Sequence, residues 1–205
     1  MPTLLISHPA CTRYDTGPYH PERSERLTMI ERALAAEGFS RLECREAPLA
    51  TPTLIACMHP RSYIDSLLEA VPRCNFYYLD SNTVLSLDSG EAVLRAVGAG
   101  GAVRNAFYAV RPPGHHAEPT TAVGFFCVFN NVAIGARHAR LHHGFRRVAV
   151  VDLDVHHGNG TQAAFWNDAD LILCLYPLVA LLPRHGNRAE NRLCRQYRQH
   201  PAGAR

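Results

Sequence analysis

The sequence predicts an α/β layer fold built on a mostly parallel sheet, and three observations carry that prediction. Short aliphatic runs alternate along the chain with segments whose apolar residues recur at helical spacing. Several of the runs, "RVAVVDL" among them, are apolar throughout, as strands covered on both faces require. Two histidine-rich loops directly follow such runs, and in α/β sheets ligands sit beyond the carboxyl ends of strands.

The elements follow in order. "TLLIS" (3–7) reads as a strand, and "HPERSERLTMIERALAAEG" (20–38) as a helix with Gly38 offering its C-terminal cap. "PRSYIDSLLEAV" (60–71) and "GEAVLRAV" (90–97) read as further helices. "AFYAV" (106–110) is a short strand stopped by Arg111-Pro112-Pro113, and the loop "RPPGHHAEPTTAVGFF" follows it. "FNNVAIGARHARLHHG" (129–144) predicts a helix with Gly144 as its stop, "RRVAVVDLD" a strand, Gly160 to Trp166 a helix, and "DLILCL" (170–175) a last strand. From Tyr176 onward the chain is rich in Arg and Pro, lacks either period, and taken alone reads as a disordered tail.

At 205 residues, with 47% hydrophobic and 19% charged, the composition fits one globular domain with one core. The formal charge of +3 is spread thinly without Lys/Arg blocks, so a nucleic-acid surface is not indicated. The apolar runs are too short to span a bilayer, which argues against a membrane role. The seven cysteines form no CxxC pair and no signal peptide precedes them, so reduced thiols and a cytoplasmic location are expected.

"VVDLDVHHGNGTQ" (150–162) is where the chemistry concentrates. On an extended backbone Asp152, Asp154 and His156 project together while Leu153 and Val155 enter the core. A carboxylate and an imidazole two apart begin a divalent metal site, and Asp154 with His156 would supply two of the three protein ligands a catalytic zinc takes. His115 and His116 lie in a loop stiffened by two prolines, suited to dividing general acid and base work; Asp152 and Asn159 are candidate partners for their other ring nitrogens. An Asp-x-Asp after a strand is by itself more often a plain loop pair, and His-His more often surface chemistry; their joint occurrence at two strand ends favours a site. His138, His142 and His143 beside Arg137 and Arg140 read as a solvated helix face, and the cysteines as core or surface thiols.

"RPPGHHAEP", "GFFCVFNNVAIGARHA" and "VVDLDVHHGNGTQ", in that order, resemble the histone deacetylase family, nearest its class II and bacterial members, which include acetylpolyamine amidohydrolases. "HPACTRYDTGPYHPERSERL" fits the same family, and the resemblance covers residues 3 to about 174, leaving 175–205 as a tail outside it. It implies a three-layer, mostly parallel open sheet of the arginase/deacetylase type, incomplete at its C-terminal side. It further implies zinc held by Asp154 and His156, with His115 and His116 flanking the reacting water and paired to Asp152 and Asn159 respectively. His116 would take the general-base role, and Gly124 and Phe125 would line an acyl-lysine channel. The substrate implied is an acetylated lysine or another acetylated amine; a monovalent cation such as K⁺ near Asp152, Asp154 and His156 is a further implication.

The chain departs from that family pattern at four places. "GFFC" has one residue more than the usual GFC, Asn82 in "DSNT" stands where a second acid is usual, and "LRAVGAGGAVRNAF" is short. The third zinc ligand, an Asp, and a transition-state tyrosine come in the family from beyond the equivalent of residue 205, so the chain as written is expected to be an inactive deacetylase, or a non-catalytic fragment or binding module. Codons permitted for Leu175–Pro177, Leu182–Gly186 and Gln196–Ala202, read one nucleotide later, can spell the family's continuation. A frameshift near Cys174 is the corresponding expectation.

Overall fold

The computed structural model describes residues 3–99, 105–122 and 125–175. Strand β1 (Leu4–Ser7) is flanked in parallel by β2 (Glu43–Glu46) and β5 (Ala106–Tyr108), giving the order β2-β1-β5. A second parallel pair joins β6 (Val148–Asp152) to β7 (Leu171–Leu175), in register from Val148 opposite Leu171 to Asp152 opposite Leu175. The two-residue strands β3 (Tyr77–Tyr78) and β4 (Val84–Leu85) form a small antiparallel pair.

Helices fill the connections: α1 (Pro9–Arg13), α2 (Ser24–Leu34), α3 (Pro52–Ile55), α4 (Arg61–Glu69), α5 (Ser89–Gly98), α6 (Asn131–His143) and α7 (Asn159–Phe165). The main core forms where the apolar stripes of α4, α5, α6 and α7 meet one face of the β6–β7 pair, around Ile64, Val93, Phe129, Ile134, Phe165 and Leu171. Gly144 ends α6 in the left-handed region at φ +70°, the conformation a residue without Cβ adopts at least cost.

Most predicted elements stand where the sequence put them, with four corrections. The helix predicted through Gly38 ends at Leu34, with Ala35 rather than a glycine at its cap, and Gly38 falls inside a separate 3-10 turn. The short pieces α1, α3, β2 and the β3–β4 pair had no detectable period; α1 starts because His8 Nδ1 accepts the Ala10 backbone N–H. Leu153 and Val155, expected in the core, are 72% and 45% exposed. β6 stops at Asp152, and the face of β6–β7 opposite the main core is left open by the described residues, as the exposure of Val151 also shows.

The fourth correction concerns α6. Arg137 and Arg140 are half-buried rather than solvated: Arg137 donates to the carbonyls of Cys57 and Ala164, and Arg140 pairs with Asp168 and Asp170. His142 and His143 are exposed as expected, while His138 is half-buried with its ring tilted against that of His142, centroids 4.6 Å apart. Cys11, Cys44, Cys57, Cys74, Cys127 and Cys174 are all free thiols. Among the described residues no helix is long and apolar enough to cross a membrane. The tail from Tyr176 lies outside the described residues.

Candidate active site

The site is assembled at the carboxyl ends of β5 and β6, and its first requirement is a rigid loop after β5. Arg111, 3% exposed, donates from Nε and Nη2 to the Glu22 carboxylate at 2.6 and 2.7 Å. Its Nη1 donates to the carbonyls of Cys11 and Tyr14, so the segment leading into α2 anchors the start of the loop. Asn131 Nδ2 donates to the Pro112 carbonyl, the Thr161 N–H to that of His115, and Asn130 Nδ2 to that of Ala117. The fully buried His59 joins Pro119 to α6: Nδ1 donates to the Pro119 carbonyl at 3.0 Å while Nε2 accepts the Asn130 N–H. Burial holds that imidazole neutral, its pKa pushed down to about 4.

This loop presents the two histidines side by side, ring centroids 4.0 Å apart, each with a different partner. His115 Nδ1 lies 2.9 Å from Asp152 Oδ2 at the end of β6. His116 Nδ1 lies 2.6 Å from Asn159 Oδ1 at the start of α7. Burial works against charge on both rings. For His115 the hydrogen bond and negative charge of Asp152 outweigh burial, and its pKa rises. For His116 burial wins over the neutral amide partner, helped by the charges of His115 and His156, and its pKa falls. Asp152 is itself held below the usual carboxylate range: burial opposes its charge, and the His115 hydrogen bond outweighs that.

Asp154 and His156 form the open side of the cluster. Asp154 Oδ1 accepts the His156 backbone N–H at 2.8 Å and lies 2.9 Å from His156 Nδ1. Both side chains are roughly half exposed. Phe125 leans over this corner, its ring 4.7 Å from His116 and 5.5 Å from His156. Phe125 and Phe126 both sit at positive φ, +52° and +70°, a costly conformation for side chains of that size and one that recurs at ligand sites.

The donor chemistry can be tested against zinc directly. Ligands about 2.0–2.1 Å from a tetrahedral zinc stand about 3.3 Å apart. Asp154 Oδ1 and His156 Nδ1, a carboxylate and an imidazole now hydrogen-bonded at 2.9 Å, are donor types zinc takes and would need to part by only about 0.4 Å to reach that spacing. Among the described residues, no group of three or more His, Cys, Asp or Glu side chains is placed to hold a metal.

Of the residues expected from sequence, His115, His116, Asp152, Asp154, His156, Asn159 and Phe125 come together, and Gly124 lies outside the described residues. His157 turns away to bond Gln162. Sequence reasoning missed Glu118, whose Oε1 accepts from Asn159 Nδ2 at 3.0 Å, and Gly158, where a Cβ would stand 2.6 Å from Asp152 Oδ2. Glu118 had a signal, since it follows His116 by two residues and is the loop's one carboxylate. The Glu22–Arg111 pair, 89 residues apart, had none.

A family model described as the histone deacetylase domain matches residues 20–191. The chain is similar to histone deacetylase 14, chloroplastic, of Arabidopsis thaliana, 38% identical over 182 residues that cover 74% of this chain and 42% of that protein. It is also similar to a probable deacetylase of Archaeoglobus fulgidus, 32% identical over 200 residues, covering 91% of this chain and 54% of that one. Among solved structures, that of the HDA15 HD domain superimposes with a TM-score of 0.77 at 30% identity, covering 85% of this chain and 54% of that chain. The chain thus spans about half the length of the relatives it matches.

Proposed function

The chain belongs to the histone deacetylase family, and from that premise we propose that the cluster around His116 serves zinc-dependent hydrolysis of N-acetyl amides, on an acetylated lysine or acetylated amine. The observation that supports the reading best is the different partnering of two adjacent imidazoles, one on a carboxylate and one on an amide, beside an Asp–His donor pair.

Asp154 and His156 would hold the metal. When bound, zinc supplies a Lewis acid for the scissile carbonyl and lowers the pKa of water in its coordination shell to about 7. His116, its pKa depressed, is neutral at pH 7 and can take a proton from water at Nε2, because Nδ1 is engaged by Asn159. His115, its pKa raised by Asp152, retains charge to higher pH, which suits it to stabilise developing negative charge or return a proton to the leaving amine. Phe125 gives an apolar flank that a chain of methylenes would pack against.

The described residues provide two protein donors, whereas a catalytic zinc takes three. The proposal assigns two of those three donors, Asp154 and His156. The test is zinc titration by calorimetry together with hydrolysis assays on an acetyl-lysine peptide and on acetylspermidine. Zinc binding that disappears in Asp154→Ala and His156→Ala supports the reading. Zinc binding indifferent to both substitutions contradicts it.

A further inference from the structure

Beyond the two histidines and their direct partners, a third polar side chain is built into the site. Glu118 Oε1 accepts a hydrogen bond from Asn159 Nδ2 at 3.0 Å, and Asn159 Oδ1 faces His116 Nδ1 at 2.6 Å. Three side chains thus stand in series: Glu118, Asn159, His116. The order of donors along it follows from their chemistry. An ionised carboxylate only accepts, so the Asn159 end that touches Glu118 must be the NH₂ group. The other end is then the oxygen, an acceptor, and the ring nitrogen facing it must carry the proton.

The amide of an asparagine is nearly symmetric in shape, so a half-turn about its last torsion would exchange oxygen and nitrogen. In that state His116 Nδ1 would have to accept and the proton would sit on Nε2. A ring protonated on Nε2 has no lone pair there to take a proton from water. With Glu118 in place the half-turn would bring Asn159 Oδ1 against a carboxylate oxygen, a repulsive contact in a half-buried setting. Glu118 is well placed to exert this control because its own backbone is fixed. Its N–H donates to the Thr121 carbonyl at 3.0 Å, and the flanking Ala117 and Pro119 carbonyls are held by Asn130 and His59.

We propose that Glu118 is a positioning residue for His116: by accepting from Asn159 Nδ2 it fixes the amide orientation and so holds His116 as the Nδ1–H tautomer, with Nε2 free. The role assigned to Nε2 rests on the deacetylase reading above; the tautomer control does not. His115 meets its carboxylate directly, whereas His116 meets one through an intervening amide. The amide transmits orientation while keeping the negative charge one side chain further away.

The experiment is imidazole ¹⁵N–¹H NMR on the ¹⁵N-labelled chain at about pH 8, above the ordinary imidazole pKa, with the His116 signals assigned by their loss in His116→Gln. In the unsubstituted chain Nδ1 is expected as the protonated nitrogen and Nε2 as the bare one. Glu118→Gln, whose amide can turn to donate as well as accept, is expected to relax that pattern. Glu118→Ala loses it and shows a mixture of tautomers, with the fold checked by its melting transition. A proton on Nε2 in the unsubstituted chain overturns the proposal, whatever the variants do. So does an Nδ1–H pattern that survives in Glu118→Ala. The readout needs no turnover, so an absence of deacetylase activity would strike the functional reading and leave this one standing.

Discussion

His115 and His116 are neighbours in the chain with rings 4.0 Å apart, yet their surroundings drive their basicities in opposite directions. The cause is the difference between Asp152 and Asn159: a carboxylate repays the desolvation of a charged ring, and an amide does not. Two resolved midpoints are therefore expected in an NMR titration, His115 above and His116 below the ordinary value of about 6.5. Asp152→Asn removes the compensating charge, and the His115 midpoint should drop. Coincident midpoints, or a His115 midpoint unmoved by the substitution, would show that the partners do not set the order.

The spacing of Asp152 from His115 depends on an absent side chain. A Cβ at Gly158 would stand 2.6 Å from Asp152 Oδ2, closer than such atoms tolerate, and a tight 3.2 Å from His115 Nδ1. Gly158→Ala should push the carboxylate off the imidazole, at an overpacking cost of about 1–3 kcal/mol. Denaturant unfolding measures the cost, and a fall in the His115 midpoint reports the broken contact. A variant with unchanged stability and midpoint would mean that the loop simply yields.

Glu22 is 1% exposed and is the carboxylate that faces the buried Arg111 guanidinium. Removing one member of such a pair leaves a desolvated charge without its counter-ion, typically a loss of about 3–5 kcal/mol. Glu22→Ala should therefore lower stability by that order in urea unfolding and loosen the loop that carries the histidines. Glu25→Ala, at a solvent-exposed side chain nearby, should change stability by no more than about 0.5 kcal/mol.

How legible was this arrangement in the sequence? The strands β1, β5, β6 and β7 and the longer helices were readable because their apolar periods are local, and the residues of the cluster because they are concentrated in two short motifs. β2 was not: "ECRE" is mostly charged and solvent-exposed, and it is a strand only because β1 offers it a parallel edge. The pairing of Glu22 with Arg111 joins residues 89 apart through hydrogen bonds, which leave no period to detect. Alternation placed Leu153 and Val155 inward, but alternation names two faces and does not say that both are covered. Their exposure predicts that Leu153→Gln, at 72% exposed, changes unfolding free energy by less than about 0.5 kcal/mol. A loss of several kcal/mol would place that side chain in a core.

His59 supplies a pH dependence whose sign is fixed by its burial. Its folded pKa of about 4 lies below the ordinary 6.5, so the unfolded chain binds the proton more readily than the folded one. Its contribution to stability is full above about pH 6.5 and is lost as pH falls from there towards about 4, amounting to about 3 kcal/mol across that interval. The ring also bridges Pro119 to Asn130, so protonation at Nε2 would break the bond accepted from the Asn130 N–H and release the loop that carries the histidines. Replacement by Gln keeps a donor and an acceptor but has no proton to take up. His59→Gln should therefore be less stable than the unsubstituted protein at pH 7 and should lose stability less steeply between pH 6.5 and 4. Parallel stability curves for the two proteins across that interval would mean that His59 is not the group that senses acid.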